Sequence, residues 1–270
     1  PRFSPTLRLT LIDVGQGDSI LVEFPGRRKM LVDGGGVPDS SFDIGEYVVS
    51  PFLWRCGIKK IDYLVLTHAH PDHLNGLLAV ARNFRVAEYW EAFSPENNQA
   101  YAELMRSLSK SALQRRVFRG FKVQEGPVTI EILNPRLSLP LEREVANDDS
   151  LVLRLTAENW AFLLAADSGM EAEKNILDAR LEVRSQVLKS PHHGSRTSSS
   201  EVFLAAVAPE VVIISAGRGN IYGVPHPEIV ERYRAAGVHI LSTGQDGAIE
   251  ISAKGCFLAI RTSVSQAQPD

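Results

Sequence analysis

Alternating apolar positions open the chain. Leu7, Leu9 and Leu11 recur at every second position, and Val14 follows after one slip of register, so 7–14 reads as a half-buried strand. "SILVEF" (19–24) follows Gly15-Gln16-Gly17-Asp18, and "KMLVDGGG" (29–36) follows a turn at Pro25-Gly26; both predict strands. Residues 44–56 fit a helix broken near Pro51, 61–67 a short buried strand, and 74–83 a helix with Leu74, Leu77, Leu78 and Ala81 on one face. A longer helix is expected over 95–119, opened by Pro95 and Glu96, with Lys and Arg toward its C-terminal end as the helix dipole prefers. The second half repeats this grammar. Strands are expected at 127–133, 151–156, 160–166, 186–189, 210–216, 239–243 and 248–260, and helices at 170–179, 199–207 and 227–237. Two strand-rich halves, each with helices, predict an α/β sandwich of two sheets with helices outside. The tail 264–270 is expected to fray.

Composition narrows the function. With 270 residues and 44% hydrophobic content, the chain can bury a substantial core. A net charge of −3 marks no general nucleic-acid binder, so an anionic substrate must be held by local features such as metals, a few Arg or Lys, or backbone N–H groups. Cys56 and Cys256 have no zinc-binding spacing; buried or free thiols are the favoured reading, with a long-range disulfide left open. No apolar run approaches the roughly 18 to 20 residues that span a bilayer, and the opening residues carry no signal-peptide core. The expectation is one soluble domain over 1–270, cut from a larger protein.

The densest chemistry is "THAHPDHLNG" (67–76), between an apolar strand and a helix. Positions two apart at a strand end point the same way, so His68 and His70 converge on one point. The turn at Pro71 lets Asp72 and His73 face a second. A polar loop, or capping by Asp72, is the plainer alternative, but H-x-H-x-D-H at a strand-to-helix junction points to metal. Asp167 ends a strand, where it either bridges two metals or, with Ser168, caps the next helix. His192 and His193 end another strand; adjacent side chains diverge there, so one is expected to ligate and the other to meet substrate or solvent. Asn147, Asp148 and Asp149 precede a strand and on their own read as a turn.

These strings together resemble the metallo-β-lactamase superfamily, and within it the C-terminal hydrolase domain of ComEC-type DNA-uptake proteins. "DVGQGDSILVEFPG", "MLVDGGG", "LVLTHAHPDHLNG", "NDDSLVL", "FLLAADS", "LKSPHHGSRTS", "NIYG" and "TGQDGAI" carry the resemblance in order from residue 13 to 248. It implies an αββα sandwich, two mixed sheets flanked by helices, with a two-metal site along one edge. His68 and His70 would bind the first metal, Asp72 and His73 the second, and Asp167 would bridge. His192, or failing that His193, would complete the second metal, and Asp33 would orient ligands or water from behind. The chain departs from the pattern twice. Where many members have a further His, this one has "NDDS", so Asp148 or Asp149 must substitute, which favours Mn²⁺ over Zn²⁺. Where relatives read "YGHP", it has Val224, with His226 two residues on.

Two such metals suit phosphodiester hydrolysis. The implied function is a DNA nuclease of natural transformation, degrading the strand that is not transported. It would be a domain on the extracytoplasmic face of a cytoplasmic-membrane protein, with DNA, the membrane channel of its parent and other uptake proteins as partners. Asp72, Asp33 and His193 are the expected catalytic residues, and Asp18, Lys189, Ser195, Arg196, Asn220, Tyr222 and His226 the expected substrate contacts. Arg218 is a further phosphate candidate, although each of these cations reads equally well as solvated surface. The rival readings are a phosphorylcholine-esterase-like hydrolase, with aromatics (Trp54, Trp90, Trp160 or Tyr222) around a quaternary ammonium, and a non-catalytic, metal-stabilised DNA-binding module.

Overall fold

A computed structural model describes residues 6–38, 40, 42–108, 112–137 and 147–264. The first half contributes β1 (Leu7–Leu11), β2 (Ile20–Glu23), β3 (Lys29–Val32), α1 (Ser50–Arg55), β4 (Lys60–Val65), α2 (Pro71–Asn83), β5 (Arg85–Glu91), α3 (Gln99–Ser107) and β6 (Leu113–Arg116). The second contributes β7 (Lys122–Glu125), β8 (Val128–Asn134), β9 (Val152–Ala157), β10 (Trp160–Leu164), α4 (Met170–Asp178), β11 (Val187–Lys189), α5 (Glu201–Val207), β12 (Val211–Ile214), α6 (Pro227–Ala235), β13 (His239–Ser242), α7 (Thr243–Asp246), β14 (Ile249–Lys254) and β15 (Phe257–Thr262).

The strands form two mixed sheets, ordered β15-β14-β1-β2-β3-β4-β5-β6 and β13-β12-β11-β10-β9-β8-β7. They pack face to face through Leu9, Val22, Met30, Trp90, Ile130, Leu153, Phe162 and Ile251, among others. α1 to α3 cover the outer face of the first sheet through Leu53, Leu77 and Leu104, and α4 to α6 cover the second through Ile176, Phe203 and Tyr233. The αββα sandwich follows from the pattern: β12 reads Val-Val-Ile-Ile and is buried throughout, because each sheet is covered on both faces.

Several boundaries differ from expectation. The helix expected over 95–119 is α3 followed by strand β6; residues 109–111 lie outside the described ones, as do 265–270 of the expected frayed tail. Asn98, not Pro95 or Glu96, caps α3, its side chain accepting from the Tyr101 N–H at 2.9 Å. "LQRR" buries no residue at the sheet edge, its one apolar residue Leu113 included, and so continued the helical pattern in the sequence. β5 and β7, both interrupted by charge, were not expected. The break near Pro51 is a π-helical turn over Gly45–Val49, in which the Ser50 N–H reaches the Gly45 carbonyl. The wider turn leads into Pro51, which has no N–H and crowds the carbonyl four residues back. Cys56 and Cys256 are both exposed and free. Among the described residues no helix is long and apolar enough to cross a membrane.

Candidate metal centre

Parallel pairing aligns the C-terminal ends of β3 and β4 in one sheet and of β10 and β11 in the other. Asp33 follows β3, His68 follows β4, Asp167 follows β10, and His192 and His193 follow β11. Loops leaving the carboxyl ends of neighbouring strands are where an α/β fold forms its crevice.

The first anchor is Asp33, fully buried. It accepts from the Thr67 N–H (2.8 Å), the Thr67 hydroxyl (2.6 Å) and His73 Nδ1 (2.8 Å). The Thr67 oxygen also lies 3.2 Å from His68 Nδ1, and His193 Nδ1 lies 2.7 Å from the Ser215 carbonyl. A carbonyl and a carboxylate can only accept, and the Thr67 hydroxyl proton is committed to Asp33. All three imidazoles therefore donate from Nδ1 and turn Nε2 inward. There, His73 Nε2 and His193 Nε2 stand 3.3 and 3.2 Å from one oxygen of Asp167, and His68 Nε2 and His192 Nε2 stand 3.9 and 3.7 Å from the other. Asp72 places an oxygen 3.6 Å from His193 Nε2, and His70 is exposed with its ring 4.6 Å from that of His68.

The donor set fits a metal. His68 Nε2, His73 Nε2, His193 Nε2 and one oxygen of Asp167 are buried and lack a hydrogen-bond partner, an expensive condition unless a ligand satisfies them. Ligand atoms of Asp72, His73, Asp167 and His193 all lie within 4.8 Å of one another. Imidazoles held from behind by a carboxylate, a hydroxyl and a carbonyl are oriented as metal-binding histidines are.

Charge follows the same geometry. Burial opposes protonation of His73, but Asp167 and Asp33 outweigh it and raise its pKa well above the ordinary value. His193, buried against Asp167, is likewise pushed up to about 9. Burial would raise the Asp72 and Asp167 carboxyls, yet His193 and His73 hold both well below the usual carboxylate range. Burial and the neighbouring His73 keep His68 neutral.

Backbone strain concentrates here. Asp33 (φ 59°), Ala166 (47°), His192 (47°) and His193 (54°) all occupy the left-handed region, at a cost of order 1–3 kcal/mol each. This is also why both His192 and His193 face Asp167: adjacent residues diverge on a strand, but not on this tight turn. His193 is the ring that meets Asp72, and His192 lies on the His68 side, held by Asn147 Nδ2 (3.2 Å) and Thr197 (3.1 Å).

Other expected site residues lie elsewhere. Asp148 does not reach the cluster; its carboxylate accepts from Gly169 N (2.8 Å) and Ala172 N (3.0 Å) and so caps α4. Asp149 is buried in the same turn. Lys189 is no surface cation: only 1% exposed, it pairs with Asp18 at 2.5 Å and donates to the Ala166 carbonyl at 2.9 Å. Both members of this pair are sealed inside beside the cluster, with Lys189 Nζ 3.7 Å from Asp167 and Asp18 3.7 Å from His193 Nδ1. The Gly15–Asp18 loop is locked against the cluster, since a Cβ on Gly17 (φ +93°) would lie 1.8 Å from the Asp72 carbonyl oxygen. Arg196 is exposed and donates to His226 Nδ1 (3.0 Å), while His226 caps α6. Ser195 touches Thr197 (3.1 Å). Asn220 ties its own loop through the Gly217 and Val224 carbonyls, and Tyr222 stands half-exposed on that loop. Arg218 is exposed. Trp90 is buried between the sheets, Trp160 bonds the Gly255 carbonyl, and Trp54 packs on Phe84, so none serves as a cage at the cluster. Sequence reasoning missed Thr67, Thr197 and Ser215. Thr67 adjoins the histidine motif, but a backbone carbonyl such as that of Ser215 leaves no sequence signal.

Comparison with known proteins agrees with this geometry. The family model described as metallo-beta-lactamase superfamily matches residues 12–218. ComE operon protein 3 of Bacillus subtilis (strain 168) is 30% identical over 93% of the chain and 33% of its own length. Competence protein ComA of Neisseria gonorrhoeae is 34% identical over 90% of the chain and 32% of its own length. The chain thus spans about a third of these curated relatives. The crystal structure of the metallo-beta-lactamase fold protein YhfI from Bacillus subtilis superposes with a TM-score of 0.56 at 12% identity, covering 95% of this chain and 100% of that one.

Proposed function

Because the chain belongs to the metallo-beta-lactamase superfamily and has the fold of a metal-dependent hydrolase, we propose that it is a two-metal phosphodiesterase, a nuclease that degrades the DNA strand not transported during natural transformation. The observation that carries this reading is the convergence of inward-facing, unpartnered imidazole nitrogens on the Asp167 carboxylate. Kinship with a competence protein supports DNA as the substrate. The chain would act as one domain of a longer membrane protein, facing outside the cytoplasmic membrane, alongside the channel of that parent and other uptake proteins.

His68, His70 and His192 would hold one divalent cation and Asp72, His73 and His193 the other, with Asp167 shared. When bound, a pair of Mn²⁺ or Zn²⁺ ions supplies an activated water at neutral pH and offsets the charge that grows on a phosphate. The chain's own groups do the rest. Asp33 fixes the His73 tautomer through Nδ1, and the Ser215 carbonyl does the same for His193. Asp72, the cluster carboxylate with some exposure, accepts a hydrogen bond from the attacking water and aligns it. Arg196 and Ser195 sit on the exposed turn beyond His192, where a flanking phosphate passes.

The test is elemental analysis of the purified chain with cleavage of single-stranded DNA in Mn²⁺ and in Zn²⁺. A combined Asp72→Asn, His73→Ala variant should lose metal-dependent cleavage; a variant as active as the wild type would refute the assignment. A panel of bis(p-nitrophenyl) phosphate, phosphorylcholine esters and oligonucleotides separates the nuclease from other phosphoester hydrolases. Oligonucleotide binding in EDTA without cleavage in Mn²⁺ would identify a binding module instead.

A further inference from the structure

A second cavity, of about 510 Å³, opens at the end of β8 and is lined by Arg119, Arg136, Asn134, Asp148, Glu171 and Asp178 among others. Two guanidinium groups, those of Arg119 and Arg136, face it. Arg119 gives Nε to the Leu133 carbonyl at 2.9 Å, and its buried Nη2 has no acceptor. Partial burial and the like charge of Arg136 both lower the Arg119 pKa. Among the described residues neither arginine has a carboxylate within ion-pair distance. Four acids also line the cavity: one oxygen of Asp148 accepts from the N–H groups of α4, Asp149 is buried in the Asn147–Asp149 turn, Asp178 pairs with Lys174, and Glu171 is exposed on α4. Two arginines that line one cavity, without an ion pair among the described residues, form a fork for a phosphate.

The position of the cleft suits the substrate of the neighbouring cluster. β8 and β10 run in the same direction with β9 between them, so Arg136 and Asp167 leave the same edge of the sheet. Two interstrand spacings separate the ends of β8 and β10 by roughly 10 Å. The wall between is continuous: Asn134 Nδ2 donates to the Asp148 and Ser150 carbonyls, and Asn147 Nδ2 meets His192.

We infer that the Arg119–Arg136 cleft is a phosphate subsite that grips a backbone phosphate of the nucleic-acid substrate beside the scissile one. This rests on the nuclease reading above. Binding of a fluorescent single-stranded oligonucleotide in EDTA, across a salt series, tests it with the full chain carrying Arg136→Ala, Arg119→Lys or both, each checked for an unchanged melting temperature. Arg136→Ala should raise Kd roughly tenfold and reduce the salt slope by about 0.7, the value for one phosphate contact on a single strand. Arg119→Lys keeps the charge, so Kd should rise while the slope stays. Wild-type Kd and slope in the double variant would overturn the subsite and leave the nuclease reading standing. A wild-type protein that hydrolyses bis(p-nitrophenyl) phosphate but neither binds nor cleaves oligonucleotides would bring down both. Calorimetry with inorganic phosphate distinguishes the other source of the same chemistry. Tight phosphate binding that the double variant abolishes, with oligonucleotide affinity unchanged, would assign the cleft to a free anion and overturn the proposal.

Discussion

Replacing Asp33 tests whether the centre is held from behind as its geometry implies. Asp33→Ala removes the acceptor of three buried donors: the Thr67 N–H, the Thr67 hydroxyl and His73 Nδ1. The hydroxyl can turn to the His68 Nδ1 lone pair if that ring changes tautomer, 3.2 Å away, but the other two donors are stranded. Each stranded donor costs about 1–3 kcal/mol, for a gross loss of about 2–6 kcal/mol. Removing a carboxyl whose pKa burial has raised returns part of that. A net loss of about 3 kcal/mol is expected, against a total stability on the order of 5–15 kcal/mol. Asp33→Asn is the sharper variant. Its amide oxygen still serves the Thr67 N–H, but its NH₂ now faces His73 Nδ1, forcing the imidazole proton onto Nε2, the nitrogen turned toward the cluster. Stability should fall by only about 1 kcal/mol while divalent-ion affinity drops roughly 10- to 100-fold. Urea unfolding in EDTA reads the first quantity and competition with a chromogenic chelator the second. An Asn variant that binds metal like the wild type would refute the tautomer argument, and an Ala variant as stable as the wild type would refute the donor argument.

Metal binding should release protons. The Asp167 carboxylate pushes His193 up to about 9, so the ring carries its extra proton at pH 7 and a cation must displace it. Displacing this one proton should therefore lower the apparent Kd by about 50-fold between pH 7 and pH 9; calorimetry in buffers of differing ionisation enthalpy that detects no proton release would contradict this. Without metal the same group stabilises the fold fully below about pH 6.5 and loses that contribution as pH rises through 9. Gly17→Ala should unfold or distort the centre, because its Cβ would occupy the space of the Asp72 carbonyl oxygen; a melting temperature and metal content equal to wild type would count against the close approach. Lys189→Met strands Asp18 as a buried charge and should cost about 3–5 kcal/mol, whereas the double change with Asp18→Leu should recover most of it, as a double-mutant cycle would report.

Much of this centre was legible in the sequence. The apolar alternation of β1 to β4 and the spacing of His68, His70, Asp72 and His73 each have a local cause, strand period and strand-end geometry, and both survive into the fold. The strands that escaped are those whose residues do not repeat at period two. "LQRR" lies wholly exposed on an edge, and "KVQE" at the opposite sheet's edge is barely covered. The His192–His193 pair escaped for a different reason: the expected divergence holds on a strand, and left-handed φ at both residues is a property of the turn. Lys189 looked like a surface cation because nothing local announces that Asp18, 171 positions earlier in the sequence, is its buried partner.

That long-range pairing bears on how the centre is assembled. Asp33, His68 and His70 on loops, and Asp72 and His73 in the first turn of α2, belong to the first sheet's side, and Asp167, His192 and His193 to the turns that follow strands of the second. Each cation of the proposed pair would then draw ligands from both layers, and neither sheet alone could hold one. The Lys189–Asp18 ion pair and the Ser215 hydroxyl bond to the Gly17 carbonyl (2.7 Å) cross the same seam, so protein contacts already clamp it where the ligands meet. Bound metal would add to that clamp, because an ion that binds only the folded chain stabilises it by about 4 kcal/mol at a thousand times Kd. The gain should appear as a higher melting temperature and as slower amide exchange at the ends of β4, β10 and β11, with the sheet edges far from the seam unchanged. Protection spread evenly over both sheets, or confined to one of them, would mean that the ligands do not bridge the layers.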